Sequence, residues 1–365
     1  MRSVITALGL LVLTLSGCGG GGSASGPDAV FADVQIASIP NSNLQRIFAD
    51  PVRAAIYVSD SAQNVVHIIN TATNTLETSI QVGSQPTKMD MNVGADSLFV
   101  MNSGGSSVTV IDIDTRSVKS VINLPGTPDA IAVSSSDHLY VSMKSGAIPA
   151  VVGYDISSMP YTQSFSSDTG LIIMGRNSSH SRLYMHDWTT ITTTLLWDVS
   201  ISPPVELGSG DISSGAATAT PVGASDRVFI SPALEYWQPR SPNYGGDVPL
   251  FNGFTRDATL NVQWTAIATA SSSLGNELAV AHSDSVTNPL VPAETMHGAI
   301  LDPVNGFVVG VIPDLHIFSG NSFAPVAVLG LSDFILHNGL VYATNGDIYF
   351  LKGLNTSTSV SYIDR

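Results

Sequence analysis

The chain has 365 residues, 29 acidic against 14 basic, and a net charge of −15, a balance that repels nucleic acid and anionic lipid, so neither is expected as a partner. Only 12% of residues are charged, about half the usual share, and the polarity is carried by Ser, Thr, Asn and Gly, which favour strands and turns over helices. The one cysteine, Cys18, rules out an internal disulfide and leaves no thiolate nucleophile or Cys-based metal site in the body of the chain.

In chain order, residues 1–17 read as a cleaved export signal. Arg2 is the positive n-region, Val4 to Leu15 is an uncharged apolar run, and Ser16 and Gly17 are small. The run is too short to span a hydrocarbon core of roughly 30 Å as a helix. Leu15-Ser16-Gly17-Cys18 resembles the bacterial lipobox, which implies cleavage before Cys18 and acylation of its thiol. Two acyl chains are enough for stable membrane anchoring. Gly19, in place of Asp, resembles the sorting signal for the outer membrane. Loss of Arg2 with the signal takes the net charge from −15 to −16. Residues 18–30 are a lipidated cysteine and a Gly/Ser tether, Gly-Gly-Gly-Gly-Ser-Ala-Ser-Gly at 19–26, and residues 31–365 are left for one large repeat domain.

Residues 55–94 and 97–136 align without a gap at an offset of 42. Ile56-Tyr57-Val58-Ser59-Asp60 matches Leu98-Phe99-Val100-Met101-Asn102, and the register holds through Val66/Val108, Ile69/Ile111, Asn70/Asp112, Ile80/Ile122 and Pro86/Pro128. A period near 40 built of alternating strands and turns predicts a β-propeller of four-stranded blades. The strand signature recurs at Leu139-Tyr140-Val141-Ser142, Leu183-Tyr184-Met185-His186, Val228-Phe229-Ile230-Ser231, Leu278-Ala279-Val280-Ala281 and Val341-Tyr342-Ala343-Thr344, which predicts seven blades.

The motifs Tyr57-Val58-Ser59-Asp60, Val110-Ile111-Asp112 and Gly83-Ser84-Gln85-Pro86 resemble those of the YVTN family of seven-bladed propellers, closely over about residues 50–145 and less closely beyond. The wide last interval contains two further strand pairs, "GAILDPVNGFVVGVIP" and "LHIFSGNSFAPVAVLG", so an eighth, abbreviated blade is the alternative. "DVQIASIP" at residues 33–40 precedes the first full unit and predicts that an N-terminal strand completes the last blade. The C-terminal "TSVSYID" competes for that edge.

No Gly-x-Ser-x-Gly elbow, His-Glu-x-x-His helix, phosphate loop or calcium loop is present, and no cofactor is expected. His180, His186-Asp187, His282-Ser283-Asp284 and Glu294-x-x-His297 group metal-ligand side chains, but their spacing does not define a site. The pairs Asp112/Asp114 and Lys88/Asp90 are read as strand-edge or turn polar residues. The second strands end on Asp60, Asn102, Met143, Asp187, Pro232, His282 and Asn345, turn positions that open on one rim.

The repeat breaks at residues 232–254, which carry Tyr236, Trp237, Arg240, Tyr244, Phe251 and Phe254. So long a connection is ordinarily functional, and its aromatics suit either a binding surface or a plug for the rim. With Asp187 and His282 beside them, these six residues are the candidate partner-binding set. A second insertion at 283–296 rises from the same side. The leading function is therefore a lipid-anchored envelope module that presents one rim to a protein or glycan partner. The alternative is a metal-dependent lactonase-like hydrolase with ligands facing the channel, for which Asp90, Asp129 and Asp333 are the available carboxylates.

Overall fold

In a strand, successive side chains point to opposite faces, and in the repeat both faces are covered. Along Ala55–Asp60, Ile56 and Val58 pack with Leu44, Ile47, Tyr349 and Leu351 on one side. Tyr57 packs with Met89, Met91, Leu98 and Val100 on the other. In the next copy Leu98 and Val100 face back towards Tyr57, while Phe99 and Met101 face forward to Ile131, Leu139 and Val141. A sheet apolar on both faces is stable only between two others, which drives the units to stack.

The structure is a computed structural model that describes residues 34–144, 150–168, 170–187, 193–210, 217–223, 226–232, 247–261, 265–272, 277–283, 300–301, 308–310, 314–319, 325–330, 335–354 and 357–363. These residues form seven four-stranded antiparallel sheets. Blade 1 is Leu44–Ala49, Ala55–Asp60, Val65–Asn70 and Thr75–Gln81, and blade 2 is Pro86–Met91, Ser97–Asn102, Ser107–Asp112 and Ser117–Asn123. Blade 3 is Pro128–Val133, His138–Met143, Val151–Asp155 and Thr162–Ser167, and blade 4 is Leu171–Arg176, Arg182–Asp187, Thr194–Asp198 and Val205–Gly210. Blade 5 is Ala217–Pro221, Arg227–Pro232, Asp247–Asn252 and Thr255–Asn261. Blade 6 is Thr265–Ser271, Glu277–Ser283, Asp314–Ser319 and Pro325–Gly330. Blade 7 is Ile335–Tyr342, Ile348–Leu354 and Ser357–Ile363, with Val34–Ser38 as its fourth strand. The first strands touch all the way round, blade 7 meeting both blade 6 and blade 1, so the ring is closed. Gly175 marks how closely they approach: a Cβ there would collide with the carbonyl oxygen of Ala219 in the first strand of blade 5.

Three expectations are resolved by this topology. The N-terminal and C-terminal strands share blade 7, the C-terminal one third and the N-terminal one at the edge, paired from Val34↔Tyr362 to Ser38↔Ser359. There is no eighth blade among the described residues. The hairpin of Ile300–Leu301 and Val308–Gly310 pairs only with itself, and "LHIFSGNSFAPVAVLG" supplies the third and fourth strands of blade 6. The seventh copy of the signature is Ile348-Tyr349-Phe350-Leu351, not the segment around Tyr342, which belongs to a first strand. Tyr349 packs forward onto blade 1 as Tyr57 does onto blade 2, and its hydroxyl donates to Asn74 Oδ1 of blade 1 at 2.6 Å.

The antiparallel order places the first-to-second and third-to-fourth turns on one rim, here called lower. The second-to-third turns and the connections between blades lie on the other, upper rim. The lower rim repeats one device: Asn70, Asp112, Asp155 and Asp198, each ending a third strand, accept backbone N–H bonds from two or three residues ahead through their side-chain oxygen. Asp112 is thus the turn residue expected, whereas Asp114 lies beyond the strand, in the turn. Asp114 meets Arg53 Nη2 of blade 1 at 2.7 Å, and Arg53 Nη1 also donates to Ala95 O, so one guanidinium ties blades 1 and 2 together.

Candidate functional site

On the upper rim the polar ends of the second strands are held by their own turns. Asp60 is fully buried and accepts backbone N–H bonds from Asn43, Ala62 and Gln63, while His67 Nε2 lies 3.3 Å from its second oxygen. Burial pushes the Asp60 carboxyl up, but these donors outweigh it and hold the group below its ordinary range. Asn102 is also fully buried and donates through Nδ2 to Ser107 Oγ and Thr109 Oγ1. With the seventh copy reassigned, Lys352 takes the place of Asn345. Lys352 is buried, its Nζ 5.9 Å from the centre of the Phe350 ring, and Asn345 belongs to a lower-rim turn, where it donates to Thr71 O of blade 1. Asp60, Asn102 and Lys352 therefore do not form an open polar ring.

The insertions are what distinguish this rim. Residues 233–246 join the second and third strands of blade 5, and residues 284–313 join those of blade 6. The corresponding connections of blades 1 and 2, residues 61–64 and 103–106, are short turns. Asp187 and Pro232 end the second strands of blades 4 and 5, and His282 is the next-to-last residue of that of blade 6, so all three stand at the same rim of successive blades. Tyr236, Trp237, Arg240 and Tyr244 lie outside the described residues.

Phe251 and Phe254 are placed elsewhere. The third strand of blade 5 starts at Asp247 and descends, so the insertion is shorter than 232–254 and both phenylalanines lie towards the lower rim. Phe251, 7% exposed, packs with Met174, Tyr184, Leu196 and Val228 between blades 4 and 5, and offers a partner almost no surface. Phe254 leans on the same cluster and on the outer strand of blade 4, where a Cβ at Gly210 would come within 3.0 Å of its ring. It also lines a lower-rim cleft of about 490 Å³ with Arg182, Leu207, Asn252 and Asp257. Strand direction therefore removes Phe251 and Phe254 from the candidate surface.

The channel carboxylates are likewise separated. Asp129 begins the first strand of blade 3 at the upper end and Asp90 is near the lower end of the first strand of blade 2, while Asp333 lies outside the described residues. Asp90 is engaged by Arg176 of blade 4 in a two-pronged pair, Nη2 to Oδ1 at 2.6 Å and Nε to Oδ2 at 2.8 Å. Between them the first strand of blade 3 donates Val133 N to Asp90 Oδ2. Burial raises the Asp90 carboxyl, but the guanidinium charge, its hydrogen bonds and the Val133 N–H more than reverse this and hold it below the carboxylate range. His180, its Nδ1 2.9 Å from Val133 O, is shifted down by burial and by the nearby Arg176 charge. Arg176 carries the pattern that sequence reasoning missed, because its partner is 86 positions away. Among the described residues no three His, Cys, Asp or Glu side chains are grouped to hold a metal ion. His186 is buried in the second strand of blade 4, and Asp284, Glu294 and His297 lie outside the described residues.

No family model matches the chain, and no curated protein matches it. Solved structures do. The Cps50 (Swd1) β-propeller domain of Myceliophteria thermophila superposes with a TM-score of 0.62 at 10% identity, covering 92% of this chain and 100% of that one. The fold is a β-propeller. U3-55K matches with a TM-score of 0.60 at 11% identity over 93% of this chain and 100% of its own, and Kuenenia stuttgartiensis hydrazine synthase with 0.54 at 13% over 93% and 98%. At such identities the likeness concerns the fold alone. No helix among the described residues of this propeller is long and apolar enough to cross a membrane.

Proposed function

We propose that this propeller is a lipid-anchored, YVTN-type scaffold of the bacterial cell envelope, held at the outer membrane through Cys18, that presents its upper rim to a protein or glycan partner. The observation that carries the partner reading is that the strands flanking the two longest second-to-third connections, residues 233–246 and 284–313, end on the same rim of adjacent blades. The first of them holds Tyr236, Trp237, Arg240 and Tyr244, residue types that dominate binding hot spots because they give large contact area or charge-assisted hydrogen bonds at low entropic cost. The three structural relatives do not choose a function. Hydrazine synthase is named as an enzyme, and the fold serves enzymes and scaffolds alike. The hydrolase alternative has no observation in its favour, since Asp90 is bound to Arg176 and Asp129 lies at the other end of the channel.

Trp237→Ala combined with Tyr236→Ala weakens partner capture by about 2 kcal/mol or more and leaves the melting temperature nearly unchanged. The measurements are pull-down from envelope extract and a melting curve of the same variant. If the aromatics plug the rim instead, capture holds and stability falls by roughly 3–5 kcal/mol, the cost of truncating buried aromatics.

The anchor is tested separately. Cys18→Ser moves the protein from the membrane fraction to the soluble one, because the two-chain anchor is lost. A variant that still sediments with membranes after a high-salt wash is held by something other than lipid.

A further inference from the structure

The direction of the first described strand settles where the tether leaves the ring. Val34–Ser38 runs antiparallel to Ser357–Ile363, with Val34 beside Tyr362 and Ser38 beside Ser359. The third strand of blade 7 ends at the lower rim, so Val34 starts there and all of the chain before it, Cys18 included, joins the ring from the lower side.

Most of the exposed large apolar side chains of the described residues gather on that same side; Val121 and Leu207 lie further along the outer strands of blades 2 and 4. Val52 (71% exposed), Val93 (58%), Met159 (56%) and Ile201 (48%) stand in lower-rim turns of blades 1, 2, 3 and 4. Leu76, Val118 and Val205, also exposed, begin the fourth strands of blades 1, 2 and 4 at the same level. The upper-rim turns of blades 1 and 2 carry Ser61, Ala62, Gln63, Asn64, Ser103 and Gly104 instead. A set of protruding apolar tips on one rim is the form of a surface that meets lipid or protein. The point of attachment chooses between them. Sixteen positions separate Cys18 from Val34, and a Gly/Ser-rich linker of that length has a root-mean-square span of about 20–25 Å, which keeps the lower rim within reach of a lipid on Cys18 and turns a weak contact into an intramolecular one.

We propose that the lower rim of blades 1–4 rests on the membrane surface, with Val52, Val93, Met159 and Ile201 dipping into the interfacial layer and the upper rim facing away. This rests on the lipid-anchor reading of Cys18. The surface suits a zwitterionic bilayer: Asp96, Asp137, Asp155 and Asp198 line the same rim, the net charge is −15, and Arg53 and Arg116 there are neutralised by Asp114 and Glu77. The partner described above is then met on the side away from the anchor.

Cys18 is the only cysteine, and acylation blocks it, so an introduced thiol carries a fluorophore uniquely. Val93→Cys on the lower rim and Ala62→Cys on the upper rim are labelled in the lipidated protein, which is reconstituted in phosphatidylcholine vesicles containing nitroxide-bearing lipid. The probe at 93 loses about half its emission and shifts to the blue, and the probe at 62 keeps its emission. Equal quenching at both positions, or none at either, in protein that floats with the vesicles overturns the apposition and leaves the anchor standing. Protein that does not float and lacks the diacylglyceryl mass on Cys18 overturns both.

Discussion

Asp90→Ala destabilises the ring by about 3–5 kcal/mol and lowers its melting temperature by roughly 4–7 °C, because it leaves the Arg176 guanidinium buried without its counter-charge. The Asp90 and Arg176 side chains are 8% and 13% exposed, so water does not replace the lost partner. The Val133 N–H also loses its acceptor, a cost of about 1–3 kcal/mol for a buried donor. Asp90→Leu with Arg176→Met restores part of the loss, since no charge is then stranded, but the Val133 term remains. The pH dependence follows from the depressed carboxyl. A group held below its unfolded value, about 3.9 for Asp, contributes stability that is full above that value and is lost as pH falls through the folded one. Acid unfolding of Asp90→Ala is therefore flatter below pH ~4 than that of the parent. A melting shift under about 2 °C would show that the pair adds nothing to the ring.

Replacing the strand Val34–Ser38 with a Gly/Ser segment of equal length opens the propeller. The register Val34↔Tyr362 to Ser38↔Ser359 is lost, and Ser357–Ile363 becomes a free edge. Ile36 leaves the cluster that includes Tyr349, Leu351 and Val360. Together the ladder bonds and the packing amount to about 5 kcal/mol or more. The exposed edge is also a template for pairing with another chain. The expected outcome is a melting temperature lower by about 7 °C or more, together with concentration-dependent association seen by light scattering. A monomeric variant that melts cooperatively at the parent temperature would mean that three strands suffice for blade 7.

The two experiments probe different joints. The ion pair bridges blades 2, 3 and 4 inside the ring, whereas the N-terminal strand joins the ends of the chain. Loss of the first should leave the blades paired and weaken the whole ring. Loss of the second should open it at one place, and hydrogen exchange would then rise first in Ile348–Leu354 and Ser357–Ile363.

Much of the molecule is legible from the amino-acid order alone, where the physics is local. The uninterrupted apolar runs Ile56-Tyr57-Val58 and Leu98-Phe99-Val100 determine strands covered on both faces, Asn70 and Asp112 determine their turns, and the offset of 42 determines that these units repeat. The break in the repeat after Pro232 also shows in chain length. What lies across blades does not. Val341-Tyr342 and Tyr349-Phe350 fit the apolar strand signature equally well, and only the pairing Leu340↔Phe350 shows which is the first strand and which the second. Phe251 and Phe254 read as parts of a loop until the third strand, starting at Asp247, carries them to the opposite rim. Arg176 has no local reason to seek Asp90; closing the ring brings their first strands together, and burial then makes the pairing necessary. Period and turn chemistry act over a few residues and are determined by the sequence itself, whereas strand order, rim and cross-blade partner depend on which sheets become neighbours, and only the closed tertiary structure decides that.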